Sequence, residues 1–91
     1  MVVVNLRHEE YDVRIDRRSE WGNRFVIGVH GDREQVIEKY RNWLWQEIRA
    51  GRISKKGLAD LHGKRLGCHC APLACHGDVL VRAAAWAAAA R

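Results

Sequence analysis

The chain has no apolar stretch long enough to cross a membrane, and it holds a single proline, a single phenylalanine and a single methionine. A transmembrane helix needs about 20 consecutive apolar residues, and the longest apolar run, 83–90, is much shorter and mostly alanine. The first five residues lack the basic segment and the longer apolar core of a secretory signal. We therefore expect a cytoplasmic protein that does not associate with membranes.

Cysteine is scarce and odd in number, so the chain cannot pair all of its thiols without a covalent partner. The three cysteines are crowded into one segment, at 68, 70 and 75. Such crowding is more typical of a metal site or of reactive thiols than of a disulfide framework. A chain of 91 residues has room for one small domain with one core, and we predict a single domain over 1–91.

Acidic residues are in the minority: 11 of them face 16 lysines and arginines, which gives a net charge of +5. This balance favours an anionic partner such as a nucleotide, a nucleic acid or a phosphate ester. An ordinary solubilising surface explains the same charge. Nothing in the sequence indicates an oligomeric state.

Short β-branched or alternating apolar runs predict four strands, at 2–7, 11–15, 25–29 and 63–70. The last of these leads into the cysteine segment, and a helix follows it. A loop at the carboxyl end of a strand is where ligands bind in open α/β sheets. We therefore expect the site of the protein, if it has one, in that loop.

Three helices accompany the predicted strands. Asp32 and Gln35 match a capping box, and apolar side chains then recur at helical intervals until Gly51, a natural C-terminal stop. A short helix over 54–61 follows, and a third, alanine-rich helix begins at 77 or 78 and runs to 91. The predicted fold class is α/β, a small mixed sheet of about four strands with helices packed on it.

The cysteine segment allows a metal site. Cys68, Cys70, Cys75 and His76 supply the sulfur and imidazole donors that tetrahedral zinc accepts, so zinc is a possible cofactor. The spacing is unfavourable, because zinc knuckles usually have two residues between paired cysteines. On a strand, Cys68 and Cys70 share one face and His69 lies on the other.

The same segment allows a catalytic thiolate. Cys75 comes just before a helix, whose N-terminus stabilises an anion and lowers the pKa of a thiol. Cys75 would then be the nucleophile and His76 the acid or base, while Asp78 lies in the first turn of the helix. The same position also suits a bound phosphate. A third interpretation is that the cysteines are buried and purely structural.

A second group of residues, Arg17, Ser19, Trp21 and Asn23, combines an aromatic ring with amide and guanidinium donors. This combination suits a base or sugar ring that carries a phosphate. The alternative is a loop whose tryptophan fills the rim of the core. We expect Asn5 and Arg7 to reach the same pocket from the end of the first strand.

Three segments carry a resemblance to a known family. They are Val3-Val4-Asn5-Leu6-Arg7, then Arg17-x-Ser19-x-Trp21-Gly22-Asn23-x-Phe25 with Ile27-Gly28, and then Gly63-Lys64-Arg65-Leu66-Gly67-Cys68-x-Cys70-x-Pro72-x-x-Cys75-His76-Gly77-Asp78. From Val3 to about Leu80 the chain resembles the family catalogued as domain of unknown function 4326, found in bacteria and phages. The resemblance implies a boundary and a fold, not an activity. The chain departs from the family's usual pattern at Asp16, Arg24 and His69.

These observations favour a domain that binds a nucleotide-like or phosphorylated ligand between the loop over 17–23 and the loop over 70–78. Such a domain would be a thiol-dependent enzyme if Cys75 reacts, with Arg7 or Arg17 as the anion clamp. The alternative is a nonenzymatic, zinc-stabilised module that binds nucleic acid. An interaction protein with a tryptophan-rich dimer face is a third hypothesis.

Overall fold

Three strands and three helices make up the part of the chain that the structure, a computed structural model, describes: residues 2–70 and 73–89. None of these helices has the length and apolar character that a bilayer span requires. In chain order the elements are β1 (Val2–Asn5), β2 (Val13–Arg14), α1 (Arg33–Arg49), α2 (Lys55–Ala59), β3 (Arg65–Cys68) and α3 (His76–Ala89).

The strands form one sheet in the order β1-β3-β2, so the last strand of the chain is the central one. Leu66 is paired with Val3 on one side and with Val13 on the other, and both pairings are parallel. The predicted α/β class is confirmed. The sheet of the described residues has three strands instead of about four, and it is parallel where we predicted a mixed sheet.

The predicted strand at 25–29 is absent, apart from one isolated bridge between Ile27 and Gly31. Gly28 and Gly31 adopt φ values of +89° and +137°, which turn the chain. The backbone N–H of Val26 donates to Nδ1 of His30 at 2.9 Å. A local hydrogen bond therefore satisfies the Val26 backbone N–H, which would otherwise pair with a neighbouring strand.

Helix α1 begins and ends where the sequence predicts. The backbone N–H of Gln35 donates to Oδ1 of Asp32 at 2.9 Å, and the Asp32 N–H donates to Oε1 of Gln35 at 2.8 Å. This is the predicted capping box. Gly51, with φ of +79°, follows the helix. The buried residues of α1 lie on one stripe, namely Val36, Tyr40 and Leu44.

Helix α3 packs against both the sheet and the other two helices. A Cβ atom at Gly77 would lie 2.8 Å from Val3 Cγ2 and 2.9 Å from Ile15 Cδ1. Only glycine allows the start of α3 to approach the sheet this closely. This approach brings the segment that precedes α3 against the end of β3, where Cys68 lies. Pro72 and Ala71, in the turn that we predicted, lie outside the described residues.

Candidate functional site

The three cysteines converge at one end of the sheet. Cys68 is the last residue of β3, Cys70 follows it by two residues, and Cys75 directly precedes α3. Their sulfur atoms all lie within 4.8 Å of one another, and the Sγ atoms of Cys68 and Cys75 are 3.3 Å apart. None of the three forms a disulfide in the described part of the chain. This cluster is compact enough to ligate one metal ion.

Cys75 is held by the first turn of α3. The backbone N–H of Gly77 donates to Sγ of Cys75 at 3.3 Å, and the Cys75 N–H donates to Oδ2 of Asp78 at 3.2 Å. This reciprocal arrangement resembles a capping box in which a thiol replaces the usual hydroxyl. The helix starts at His76, whereas the sequence predicted a start at residue 77 or 78. Asp78 is exposed and serves the helix terminus.

The protonated form of Cys75 is favoured in the metal-free protein. The hydrogen bond with the Cys68 thiol and burial of the sulfur both raise the pKa of Cys75, against the opposing effect of the Gly77 N–H. The helix terminus acts in the expected direction through the Gly77 N–H, but the net shift is upward, so the prediction of a lowered pKa for Cys75 is not met. The Gly77 N–H, at 3.3 Å, stabilises the thiolate form of Cys75. The neighbouring Cys68 thiol and the apolar surroundings disfavour that form by a larger amount, so the thiol form is favoured.

His76 is turned away from the cysteine cluster. Its Nε2 donates to the carbonyl of Ile15 at 2.6 Å, and its ring lies edge-on to Tyr40 with 5.0 Å between ring centroids. Burial lowers the pKa of His76. Of the four predicted metal ligands the structure thus brings three together, and His76 is not among the donors that group within 4.8 Å in the described chain.

The cluster faces a cavity of about 300 Å³. Three arginines, Arg17, Arg18 and Arg33, line it together with an apolar wall. Arg17 and Arg18 are exposed, and neither forms an ion pair within the described part of the chain. The other lining residues are Asp16, Asn23, Phe25, Ile27, Val36, Ile37, Cys68, His69, Cys70, Ala74, Cys75 and His76.

Most of the residues that we predicted as ligand contacts in the loop over 17–23 stabilise the loop itself. Trp21 is only 9% exposed and belongs to the core, and its carbonyl accepts a hydrogen bond from the Tyr40 hydroxyl at 2.9 Å. Ser19 Oγ accepts from the Trp21 N–H at 3.2 Å. Asn23 Oδ1 accepts from the Phe25 N–H at 2.9 Å. Arg17 and Asn23 line the cavity, whereas Ser19 and Trp21 do not.

Asn5 and Arg7 are not among the residues that line the cavity. Asn5 Oδ1 accepts a hydrogen bond from the backbone N–H of Arg7 at 3.0 Å, at the turn that follows β1. Arg7 lines a shallow depression with Tyr11 and Arg65 instead. The prediction that these two residues reach the pocket from the first strand is not met by this geometry.

Three charged residues of the cavity, Asp16, Arg18 and Arg33, were not among the predicted site residues. Asp16 is buried, and its carboxylate accepts from Arg14 at 2.7 and 2.8 Å and contacts His69 Nε2 at 3.1 Å. The ion pair with Arg14 lowers the pKa of Asp16 to about 2. Arg33 Nη1 donates to the Ala74 carbonyl at 2.9 Å and so ties α1 to the cysteine loop.

Comparison with known proteins supports the resemblance seen in the sequence. Residues 4–86 match the family described as "domain of unknown function (DUF4326)". An uncharacterised 12.4 kDa protein from the nrdA-td intergenic region of Enterobacteria phage T4 is 42% identical over 78 residues. That match covers 86% of this chain and 71% of the phage protein. No solved structure matches the chain.

Proposed function

We propose, from the geometry of the site, that the three cysteines of this chain, which belongs to the DUF4326 family, bind one zinc ion. The observation that carries this proposal is the grouping of the Cys68, Cys70 and Cys75 sulfurs within 4.8 Å of one another. With Zn–S bonds of about 2.3 Å, the sulfurs of a tetrahedral site are about 3.8 Å apart. Small side-chain rotations therefore bring all three to bonding distance.

The chemistry of the donors also favours zinc. Thiolates are soft ligands that select zinc, copper(I) and iron–sulfur clusters over the hard cations. Three thiolates around a divalent ion leave one net negative charge, because the three anions outweigh the ion. Arg17, Arg18 and Arg33 line the same cavity and offset that charge. Zinc binding displaces the thiol protons, so the raised pKa of Cys75 makes the affinity dependent on pH.

Elemental analysis of the purified protein tests this function. We expect about one zinc per chain in the unaltered protein and a large loss of zinc in Cys70→Ser, which changes the least buried of the three cysteines. His62→Ala is the matched control, because His62 is exposed and outside the cluster. A protein that stays zinc-free after refolding with excess zinc contradicts the proposal.

A second candidate function, binding of a nucleotide-like or phosphorylated compound, is favoured by the cavity. Its wall contains Phe25, Val36 and other apolar side chains that suit a ring, and Arg17 and Arg33 supply guanidinium groups that suit a phosphate. Ligand sites commonly combine an apolar wall with a few polar groups in this way. The cavity of about 300 Å³ lies at the small end of the range for such sites.

Calorimetric titration with nucleoside monophosphates and with inorganic phosphate tests the second candidate. We expect binding that weakens roughly tenfold in Arg17→Gln, because a charge-assisted hydrogen bond is lost. Arg49→Gln in the last turn of α1 is the control, since Arg49 is exposed and does not line the cavity. Equal affinities in both variants would exclude the cavity as the site. Binding of single-stranded DNA that falls steeply with salt would favour the nucleic-acid module instead.

The thiol-dependent enzyme remains a prediction for the metal-free protein, with Cys75 as nucleophile and His76 as acid or base. It requires an ionised Cys75, and fast alkylation near neutral pH is its signature. The raised pKa of Cys75 favours slow alkylation. Mass spectrometry after brief iodoacetamide treatment of the chelated protein separates the two outcomes. A rapidly modified Cys75 would support the enzyme.

A further inference from the structure

We propose that the zinc ion keeps its fourth coordination position open to the cavity and exchanges an anionic ligand there. This inference rests on the proposed zinc function and adds to it the kind of site. Structural zinc sites are closed by four protein ligands, whereas catalytic or ligand-binding sites keep one position for water or substrate. The geometry points to the second kind.

The described residues supply three donors and no fourth. Among their His, Cys, Asp and Glu side chains, only the three cysteines form a cluster of three or more ligand atoms within 4.8 Å of one another. Neither ring nitrogen of His76 or of His69 belongs to that cluster. Nε2 of His76 instead contacts the Ile15 carbonyl at 2.6 Å, and Nε2 of His69 contacts the Asp16 carboxylate at 3.1 Å. Ala71 and Pro72, which lie outside the described residues, have side chains without a metal-binding atom.

The open position faces the cavity because the other side of the cluster is filled. Cys68 and Cys75 belong to the hydrophobic core together with Ile15, and no water or ligand reaches a metal through that packing. Both cysteines, and Cys70, also line the cavity. An ion bound by the three sulfurs therefore has its free coordination position on the cavity side.

The charges around the cavity select an anion for that position. Arg17, Arg18 and Arg33 line the same space as the sulfurs. A guanidinium group favours a carboxylate, a phosphate or another anion over a neutral ligand. An anion bound at this position would add negative charge, which the three arginines would offset. The ligand class is therefore a small anion, or the anionic end of a larger compound.

Replacement of zinc by cobalt(II) makes this position visible, because the visible bands of the ion report its ligands. The protein is loaded with one cobalt per chain and titrated separately with azide and with inorganic phosphate. We expect saturable changes in the bands. We also expect the apparent affinity for phosphate to fall roughly tenfold in Arg17→Gln and to stay unchanged in Arg49→Gln, which serves as the control.

The possible outcomes separate this inference from the function on which it rests. Bound cobalt whose bands ignore both anions would mean a closed site, which overturns the inference and leaves the zinc function intact. His76→Gln, which keeps a side-chain N–H donor, should leave the bands of the unliganded cobalt protein unchanged. A shift of those bands in this variant would identify His76 as the fourth ligand and overturn the inference. Failure to bind either zinc or cobalt would refute both proposals.

Discussion

Replacing Gly77 by alanine should destabilise the protein, although alanine is the better helix former. The added Cβ would meet Val3 Cγ2 at 2.8 Å and Ile15 Cδ1 at 2.9 Å, distances at which something must shift. Overpacking of a well-packed core costs about 1–3 kcal/mol. The gain in helix propensity is at most about 1 kcal/mol. With the full gain in propensity, the free energy of unfolding should therefore fall by up to about 2 kcal/mol.

Urea unfolding followed by circular dichroism measures this change. Thermal unfolding gives an independent reading, because a loss of 1 kcal/mol corresponds to a fall of roughly 4–8 °C in Tm for a domain of this size. Gly57→Ala in α2 is the matched control, because its Cβ would meet only the Ser54 hydroxyl at 3.0 Å. We expect the control to unfold at the same urea concentration as the unaltered protein, or at a higher one.

The reasoning would be refuted by a Gly77→Ala variant as stable as the Gly57→Ala variant. That result would mean that the start of α3 can move away from the sheet without cost. Because Cys75 directly precedes α3, we also expect zinc affinity to fall in Gly77→Ala and to stay unchanged in Gly57→Ala. If stability falls but zinc affinity is unchanged, the packing of α3 against the sheet does not determine the geometry of the cysteine cluster.

Two further predictions concern the core and the loop. The Arg14 ion pair lowers the pKa of Asp16 from 3.8 to about 2; its stabilising effect is therefore complete above about pH 4 and is lost as the pH falls through 2. In urea unfolding over this range, Asp16→Asn should show a flatter stability profile than the unaltered protein, and an identical profile would contradict the assignment. Tyr40→Phe removes the hydroxyl that donates to the Trp21 carbonyl and should lower the free energy of unfolding by about 1–3 kcal/mol. The control, Tyr11→Phe at an exposed position, should change this free energy little. Equal effects of the two substitutions would exclude a role for the hydrogen bond.

Local features of the fold could be predicted well from the sequence. The start of α1 depends on a capping box between Asp32 and Gln35, which lie three residues apart. The same holds for the glycine that ends the helix. The segment 25–29 was wrongly predicted as a strand, because β-branched residues indicate a strand only if a partner lies beside them. The described sheet provides none there, and the glycines turn the chain.

The site was predictable in position but not in detail. The crowding of Cys68, Cys70 and Cys75 indicated the segment, and the structure brings their sulfurs together. The contact between Asp16 and His69 spans 53 residues of sequence, so no local pattern could indicate it. The burial of Trp21 is likewise a tertiary effect, because a tryptophan beside glycine and asparagine suits a binding loop as well as a core.

The position of β3 in the sheet has a consequence for how the chain folds. β1 and β2 both pair with β3 and not with each other, although β3 comes about 50 residues later in the chain. Contacts between distant residues slow folding, because the entropic cost of closing the loop precedes the gain. We therefore expect the N-terminal strands to stay unpaired until β3, which carries Cys68 at its end, has joined them. On that expectation, the sheet and the cysteine cluster assemble in the same step.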